Sequence, residues 1–506
     1  LNRQTESAWK YHNLTKHSYW SVRTQAHYLD WDNRPYPFKI YPAIEPLKLS
    51  SGIAQTGVPA LAAIAATTLD AARSAPTLDQ LTAILYYSAG VTKKRTFPGG
   101  EIYFRAAACA GALYPVETYI VCGDIEGLEA GVYHFNAGDF ALRRLRAGDH
   151  RGAIAAATGS EESIAYAPVI LVHTAITWRS TWKYRDRAYR YHFWDDGMIA
   201  ANALAMTASH RLHAKIVMGF VEEDVNRLID IGGERELALS LLAIGLNTEI
   251  EKAPTPERLN LETVPLSESQ IDYLSIQDMH RASSLQSAEE VALWRSGEFT
   301  REEPQTIGPV IPLRIPLPDA LPLDAIEDVI GRRGSTRRFA RKAISFEHLS
   351  IILDRATRGI DFDFAARQLN DIYLIVNAVD GLESGAYFYR MKERALELLK
   401  AGDFRERASY LTLEQELGGD ASATVFFMAD LDRLLSSLGN RGYRLAQMES
   451  GIIGGRMYIA AYTLKRGATG LTFYDDEVTE FFSPHAAGKN CMLVLSLGVA
   501  GKRPIF

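Results

Sequence analysis

Gly127-Leu-Glu-Ala-Gly-Val-Tyr-His-Phe135, followed by Ala147-Gly-Asp149, returns 254 positions later as Gly381-Leu-Glu-Ser-Gly-Ala-Tyr-Phe-Tyr389 and Ala401-Gly-Asp403, with no insertion or deletion between the anchors. The same spacing pairs Arg187-Ala-Tyr-Arg190 with Arg441-Gly-Tyr-Arg444, and Gly197 with Gly451. A register held over about a hundred residues marks internal duplication, which takes precedence over any local motif. The chain is a fused pair of related copies.

The pattern around these anchors is that of alternating helices and strands. Residues 77–88 place Leu78, Leu81, Ile84 and Leu85 on one helical face, and 345–358 repeat the arrangement with Leu349, Ile352, Leu353 and Ala356. Short apolar runs bounded by turn residues predict strands at 118–122, 169–173, 238–244, 372–376, 424–428 and 492–497. The stretches 193–209 and 445–464, rich in Ala or Gly and apolar on most faces, predict buried helices. Residues 1–58 are rich in aromatic and turn residues and predict an arm packed on the core. Residues 247–322 turn polar and then proline-rich, which predicts a linker. The expected organisation is therefore an arm (1–58), a first domain (59–246), a linker (247–322) and a second domain (323–506), each domain an α+β layer.

The two copies have lost different things. Before the first predicted helix of copy two stands Arg332-Arg-Gly-Ser335-Thr-Arg337-Arg338-Phe339, where copy one offers Ala65, Thr67 and Leu69. Guanidinium forks with a hydroxyl suit a terminal phosphate, because they bind it in bidentate fashion and stay charged. Conversely, copy one reaches its 118–122 strand through Phe104-Arg-Ala-Ala-Ala-Cys109-Ala-Gly111-Ala-Leu-Tyr114-Pro115, whereas copy two is shorter there. Complementary losses predict one surviving site built from both halves. Lys183-Tyr184 also survives in one copy only, since the matching positions hold Ser437-Leu438.

Composition narrows the classes. At 506 residues, with 47% hydrophobic residues and 23% charged, the chain can bury two cores of ordinary size. A net charge of -6 with a single local Arg cluster argues against nucleic acid. No run approaches the ~18 apolar residues of a membrane span, and Leu1-Asn-Arg-Gln-Thr-Glu6 lacks a signal-peptide pattern. A cytosolic chain is expected. Three cysteines without CxxC spacing and scattered histidines predict neither a disulfide framework nor a metal site.

The basic run with Ile344-Ser-Phe-Glu-His-Leu349 resembles the phosphate-binding start of the nitroreductase superfamily. Ala110-Gly-Ala-Leu-Tyr-Pro115, Lys183-Tyr-Arg-Asp-Arg187, Gly467-Ala-Thr-Gly470-Leu-Thr-Phe473 and Leu14-Thr-Lys-His-Ser18 resemble its SagB-type (ThcOx-like) dehydrogenase branch, in its tandem form. The resemblance implies two fused nitroreductase-like domains, each a mixed sheet flanked by helices, forming an intramolecular pseudo-dimer. It implies one FMN held by Arg333, Ser335 and Arg337, by the wall Ala468, Thr469 and Gly470, by the tail Lys502 and Arg503, and by the partner loop Cys109, Ala110 and Gly111. Ala108 and Cys109 stand where the branch has Pro and Ser. Lys183 and Tyr184 take the place of a pair implicated in azoline oxidation, which would make the substrate a modified peptide and a cyclodehydratase a partner. Two other expectations stand beside that one: an NAD(P)H-driven reductase of nitro groups, quinones or alkenes, and a flavin-poor scaffold subunit. Fold alone does not choose among them.

Overall fold

The computed structural model describes residues 1–24, 27–66, 73–97, 100–364 and 368–502. Thr67, Leu69 and Arg503 lie outside them. The predicted strands form the centres of two seven-stranded sheets of matching order. The first runs Pro46–Lys48, Ala141–Ala147, Gly131–Asn136, Val116–Cys122, Val169–Ile176, Glu236–Ile244, Ala214–Val217. The second runs Val310–Pro312, Ala395–Ala401, Gly385–Arg390, Asp371–Val376, Ala423–Ala429, Asn490–Gly498, Gly467–Leu471. Neighbours within each are antiparallel, while the small pair Ile344–Ser345 and Val379–Asp380 is parallel. Register carries the duplication to the sheet edges. Leu47 stands opposite Leu142, and Ile311 stands opposite Leu396, 254 positions after Leu142.

Both predicted long helices form, Ala188–Ser209 and Arg441–Thr463, and both are buried along nearly their whole length. They cross where the repeated glycines meet. A Cβ on Gly197 would lie 2.7 Å from Gly451 Cα, and one on Gly451 2.7 Å from the Trp194 carbonyl oxygen. The absence of side chains is what lets two backbones touch here. The earlier helices Leu78–Ala89 and Phe346–Ala356 start at Thr77 and Ser345, whose hydroxyls accept from Gln80 and His348 backbone N–H groups.

Residues 247–322, predicted as a linker, contain two helices, Leu274–Ala282 and Ala288–Arg295, and the edge strand Val310–Pro312. Leu274–Ala282 answers to Glu6–Leu14 in the arm. His12 and His280, like Thr15 and Ser283, are 268 positions apart and make the same bonds. Arg190 donates to the Thr15 hydroxyl (3.1 Å) and the His12 carbonyl (2.8 Å), while Arg444 donates to the Ser283 hydroxyl (2.8 Å) and the His280 carbonyl (2.6 Å). The stretch repeats the arm of copy one.

The same arginines tie the copies together. Arg187 and Arg190 of copy one pair with Asp475 of copy two at 2.8 and 2.5 Å, and Arg441 and Arg444 of copy two pair with Glu222 of copy one, the latter at 2.6 Å. All six side chains are buried. Burial alone would raise the Asp475 carboxyl, but the two guanidiniums overcome this and hold it below the ordinary carboxylate range.

Removing one partner of a buried pair strands the other charge, at a cost of about 3–5 kcal/mol. Glu222→Gln, which leaves Arg441 and Arg444 uncompensated, should therefore lower stability to denaturant by that order. Glu223→Gln next door, which breaks an exposed pair with Arg258 at 3.0 Å, should cost under about 1 kcal/mol. Equal unfolding midpoints for the two variants would remove the clamp from the energetics of the interface.

Candidate active site

The basic run does not precede a helix directly. It follows the helix Ile326–Arg332 and continues as irregular chain to Ile344–Ser345. Arg332, the last helical residue, is spent on Asp324 at 2.8 Å and the Tyr462 carbonyl at 3.1 Å, so it is not part of the clamp. Arg341 pairs with Asp420. Between them, Arg333 crosses to the other copy: its Nε donates to the Ala106 carbonyl at 2.9 Å and its Nη2 to that of Arg105 at 3.2 Å. Copy two thus grips the loop that copy one retained.

Thr336 N–H donates to the Ala468 carbonyl at 2.9 Å, which lays the clamp along the wall strand Gly467–Leu471. A Cβ on Gly467 would fall 2.2 Å from the Thr336 hydroxyl, so only glycine permits that approach. Tyr458, which the sequence reading did not single out, joins clamp to wall: its hydroxyl lies 3.3 Å from that of Ser335 and accepts from Gly470 N–H at 2.8 Å. Thr469 and Ala468 are buried, and Gly470 is exposed at the open end of the wall. The C-terminal tail lies beside the clamp, with Gly501 N–H donating to the Arg338 carbonyl at 2.8 Å. Lys502 follows it, exposed and without a polar partner among the described residues.

Opposite stands the loop of copy one. Gly111 has a left-handed φ of 61°, and a Cβ there would lie 2.6 Å from the Tyr184 hydroxyl. Asp195, on the first long helix, holds this loop: its carboxylate accepts from Ala110 N–H at 2.8 Å and from the Cys109 thiol at 3.1 Å. A water-sized cavity beneath is lined by Ala108, Cys109, Tyr114 and Asp195. Burial, and then the neighbouring Asp195, push the Cys109 thiol well up, so it is a thiol and not a nucleophilic thiolate. Burial lifts Asp195 from 3.8 to about 7, against the pull of the Ala110 N–H and Cys109. Asp195 was also missed, although Glu449 stands 254 positions later and caps the matching loop of copy two through Leu369 and Asn370 N–H groups at 2.8–2.9 Å.

Lys183 and Tyr184 end the helix Thr177–Tyr184 beside Gly111, with Lys183 Nζ 5.3 Å from the Tyr184 ring centre. Desolvation, then Arg337, then Arg34 lower the Lys183 pKa, and burial raises that of Tyr184. Lys183, Arg34 and Arg337 have no carboxylate partner among the described residues. The structure thus gathers Arg333, Ser335, Arg337, Ala468, Thr469 and Gly470 on one side and Cys109, Ala110, Gly111, Lys183 and Tyr184 on the other. Among the described residues no hydrogen bond joins 106–111 to Gly467–Leu471 directly, and Arg333 links the clamp to the loop through the carbonyls of Arg105 and Ala106.

The pseudo-symmetric position is closed. There the strand Ala214–Val217 of copy one bonds directly to copy two, Ile216 N–H to the Asp361 carbonyl at 3.0 Å and Asp363 N–H to that of Ile216 at 3.1 Å. The Asp363 carboxylate accepts from Met218 and Gly219 N–H groups at 2.8 and 3.0 Å. Phe362, Phe364 and Trp294 fill the space above, and Trp294 donates to the carbonyl of Leu438, the counterpart of Tyr184.

This pair of α+β domains is matched by known proteins. The nitroreductase family model fits residues 67–246 and 330–498, and the chain belongs to that family, carrying its domain twice. MJ1384 of Methanocaldococcus jannaschii, assigned as a nitroreductase, is 31% identical over 173 residues, which is 34% of this chain and 82% of that protein. The trifolitoxin-processing protein TfxB of Rhizobium leguminosarum bv. trifolii is 34% identical over 140 residues, covering 25% of this chain and only 35% of its own. A solved structure from Anabaena variabilis, also assigned as a nitroreductase, superposes with a TM-score of 0.79 at 25% identity, covering 98% of this chain and 99% of that one. No helix among the described residues is long and apolar enough to cross a membrane.

Because the folded pKa of Asp195 lies above its ordinary value, the folded chain keeps a proton there that the unfolded chain releases between pH ~4 and ~7. Its contribution to stability is therefore lost as pH rises through that window. Asp195→Asn keeps an acceptor for Ala110 N–H and cannot ionise. The midpoint difference between variant and parent should move in favour of Asn from pH 5 to pH 8. A difference independent of pH would mean that Asp195 does not titrate in this range.

Proposed function

We propose that the chain is an FMN-dependent oxidoreductase of the SagB-type branch that oxidises an azoline ring of a modified peptide to an azole. The observation that carries this reading is the facing of the Arg333–Ser335–Arg337 clamp of one copy against the Lys183–Tyr184 pair of the other. The residues fit the cofactor: guanidiniums and a hydroxyl for its phosphate, and a glycine-bearing wall and a glycine loop for a flat ring. When bound, FMN supplies a two-electron acceptor that takes the hydride lost by the substrate and returns it to dioxygen.

The residues of this chain supply the rest. Desolvation and the Arg337 charge disfavour the ammonium form of Lys183, the direction a base needs to take the proton from the ring carbon next to nitrogen. That C–H pair becomes the new ring double bond as hydride leaves the adjacent carbon. Tyr184, held neutral by burial, keeps its O–H as a donor at the same edge and packs against Tyr191 at 4.6 Å. The likeness to a trifolitoxin-processing protein supports a peptide substrate, and with it a cyclodehydratase as the partner that would make the azoline. A second reading, an NAD(P)H-driven reductase, is favoured by one feature: Arg34 and Arg337, which have no carboxylate partner among the described residues, also suit an anionic electron donor.

One FMN per chain is expected, because the pseudo-symmetric position is filled. Arg333→Ala and Arg337→Ala each remove a charge-assisted contact worth about 1.5–3 kcal/mol, so FMN affinity should fall roughly ten- to hundred-fold. Arg341→Ala, whose guanidinium is engaged by Asp420, should retain FMN. Flavin released per mole of protein measures all of this. A ratio near two, or none at all, would count against the reading, and none at all would favour a scaffold.

Lys183→Ala separates the two chemistries. Loss of a general base costs on the order of a hundred- to ten-thousand-fold, so azoline oxidation should collapse while flavin content and NAD(P)H oxidation with a quinone acceptor stay near the parent's. Unchanged azoline turnover would take Lys183 out of the mechanism.

A further inference from the structure

Copy one carries a hairpin with no described counterpart in copy two. Val91–Phe97 pairs with Gly100–Arg105, and this two-stranded ribbon joins neither seven-stranded sheet. The returning strand is the anchored one. Tyr103 packs on Phe38 at 5.0 Å, and Arg105 leads into the loop whose carbonyls hold Arg333. The outgoing strand is open. Lys93 to Phe97 are all exposed, and the row of backbone groups facing away from Gly100–Arg105 pairs with no other strand among the described residues.

Register sorts the side chains. Lys93 stands opposite Phe104, Arg95 opposite Ile102 and Phe97 opposite Gly100, so these three share one face with the half-buried Ile102 and Phe104. Lys94 lies on the other face and is paired with Glu101 at 2.6 Å. Lys93 and Arg95 have no ion pair, side-chain hydrogen bond or ring contact among the described residues. Lysine on an open edge ordinarily repels other strands. Here, however, the two unspent cations alternate with Phe97, 44% exposed on the same face, and the ribbon's base is the loop of the active site.

We propose that Val91–Phe97 is the docking edge for an extended, acidic segment of the peptide substrate, which adds as a third strand. Two acidic side chains spaced two residues apart would face Lys93 and Arg95, with the apolar stem of the next side chain on that face over Phe97. Main-chain bonds supply the affinity and alternate side chains the selectivity. Lys93 and Arg95 lie two and four residues from Val91, whose partner is Arg105. At about 3.3 Å per residue, the acidic pair sits ~7–13 Å out from the loop that lines the site. The proposal rests on the peptide-oxidising reading.

The test is direct binding to the full purified chain, by anisotropy of fluorescein-labelled ten-residue Glu-Val and Lys-Val repeats. The parent should bind Glu-Val at least about tenfold tighter than Lys-Val, and N-methylation of every second residue in one of its two phases should abolish the binding. K93E/R95E, whose changes are confined to exposed side chains, should reverse the preference with flavin content unchanged, and K93Q/R95Q should erase it. Binding of neither repeat, or a preference untouched by charge reversal, overturns the docking edge. A flavin-loaded, azoline-oxidising chain that ignores the peptide defeats this proposal alone, whereas a flavin-free chain that binds Glu-Val defeats the oxidase reading and leaves the edge standing.

Discussion

The structure depends on one reciprocal contact: two guanidiniums at the start of each long helix gripping a single buried carboxylate of the other copy. Arg187 and Arg190 hold Asp475, while Arg441 and Arg444 hold Glu222. Each cluster carries an excess positive charge, and backbone carbonyls of the two arms absorb it: those of His12 and Thr15 on one side, and those of Ser283 and His280 on the other. A buried ion pair is weak evidence for stability, since well-packed apolar groups can do as well, but its geometry specifies one docking and punishes any other. With the Gly197–Gly451 contact fixing the separation of the helices, little freedom remains in how the copies meet. The candidate site lies at that meeting. Arg333 reaches Arg105 and Ala106 because the interface puts them within 3.2 Å.

A twofold interface generates two equivalent crevices, and here they have gone opposite ways. In one, no hydrogen bond joins the wall to the loop and Arg34, Lys183 and Arg337 have no carboxylate partner among the described residues. In the other, backbone pairs with backbone, Asp363 caps free N–H groups, and three aromatic rings occupy the space. Filling a crevice with Phe362, Phe364 and Trp294 replaces solvated surface with apolar burial, at ~25 cal/mol per Å2. The closed side therefore stabilises a framework in which the open side can keep polar groups unspent.

Much of this was legible in the sequence. Strand and helix positions followed from periodicity, and the different losses of the copies are the reason to expect a composite site. The structure differs at 247–322. Proline and polar residues there read as a linker, and the arm helix Leu274–Ala282 was hidden because it follows copy one at 268 positions and shares with Glu6–Leu14 only Ser7/Ser275 and His12/His280. Many of the bonds that join the arms to the rest go to backbone carbonyls, which no side-chain pattern records. Within the site, Arg332 and Arg333 are indistinguishable as text. Only the fold shows that Asp324 occupies the first and leaves the second to reach the other copy. Tyr458 was illegible for a similar reason, being one of many apolar or aromatic residues on a buried helix until the fold sets its hydroxyl between Ser335 and Gly470.

Asp195 and Glu449 show how the same inherited position can serve both outcomes. Each carboxylate projects from the middle of a long helix and caps the loop before the central strand of its copy. Glu449 accepts from the backbone N–H groups of Leu369 and Asn370 and from the Asn370 amide, so its negative charge is well provided for. Asp195 has one backbone N–H and a weakly donating thiol. Burial raises the pKa of both, but the side with fewer donors keeps a carboxyl that stands at about 7. Saturating a buried carboxylate makes a rigid corner, whereas leaving it short of donors makes a group that can change its proton count beside the Cys109–Gly111 loop. The two halves thus differ in hydrogen-bond supply at a single pair of equivalent positions, and the half with the smaller supply is the one that carries the candidate site.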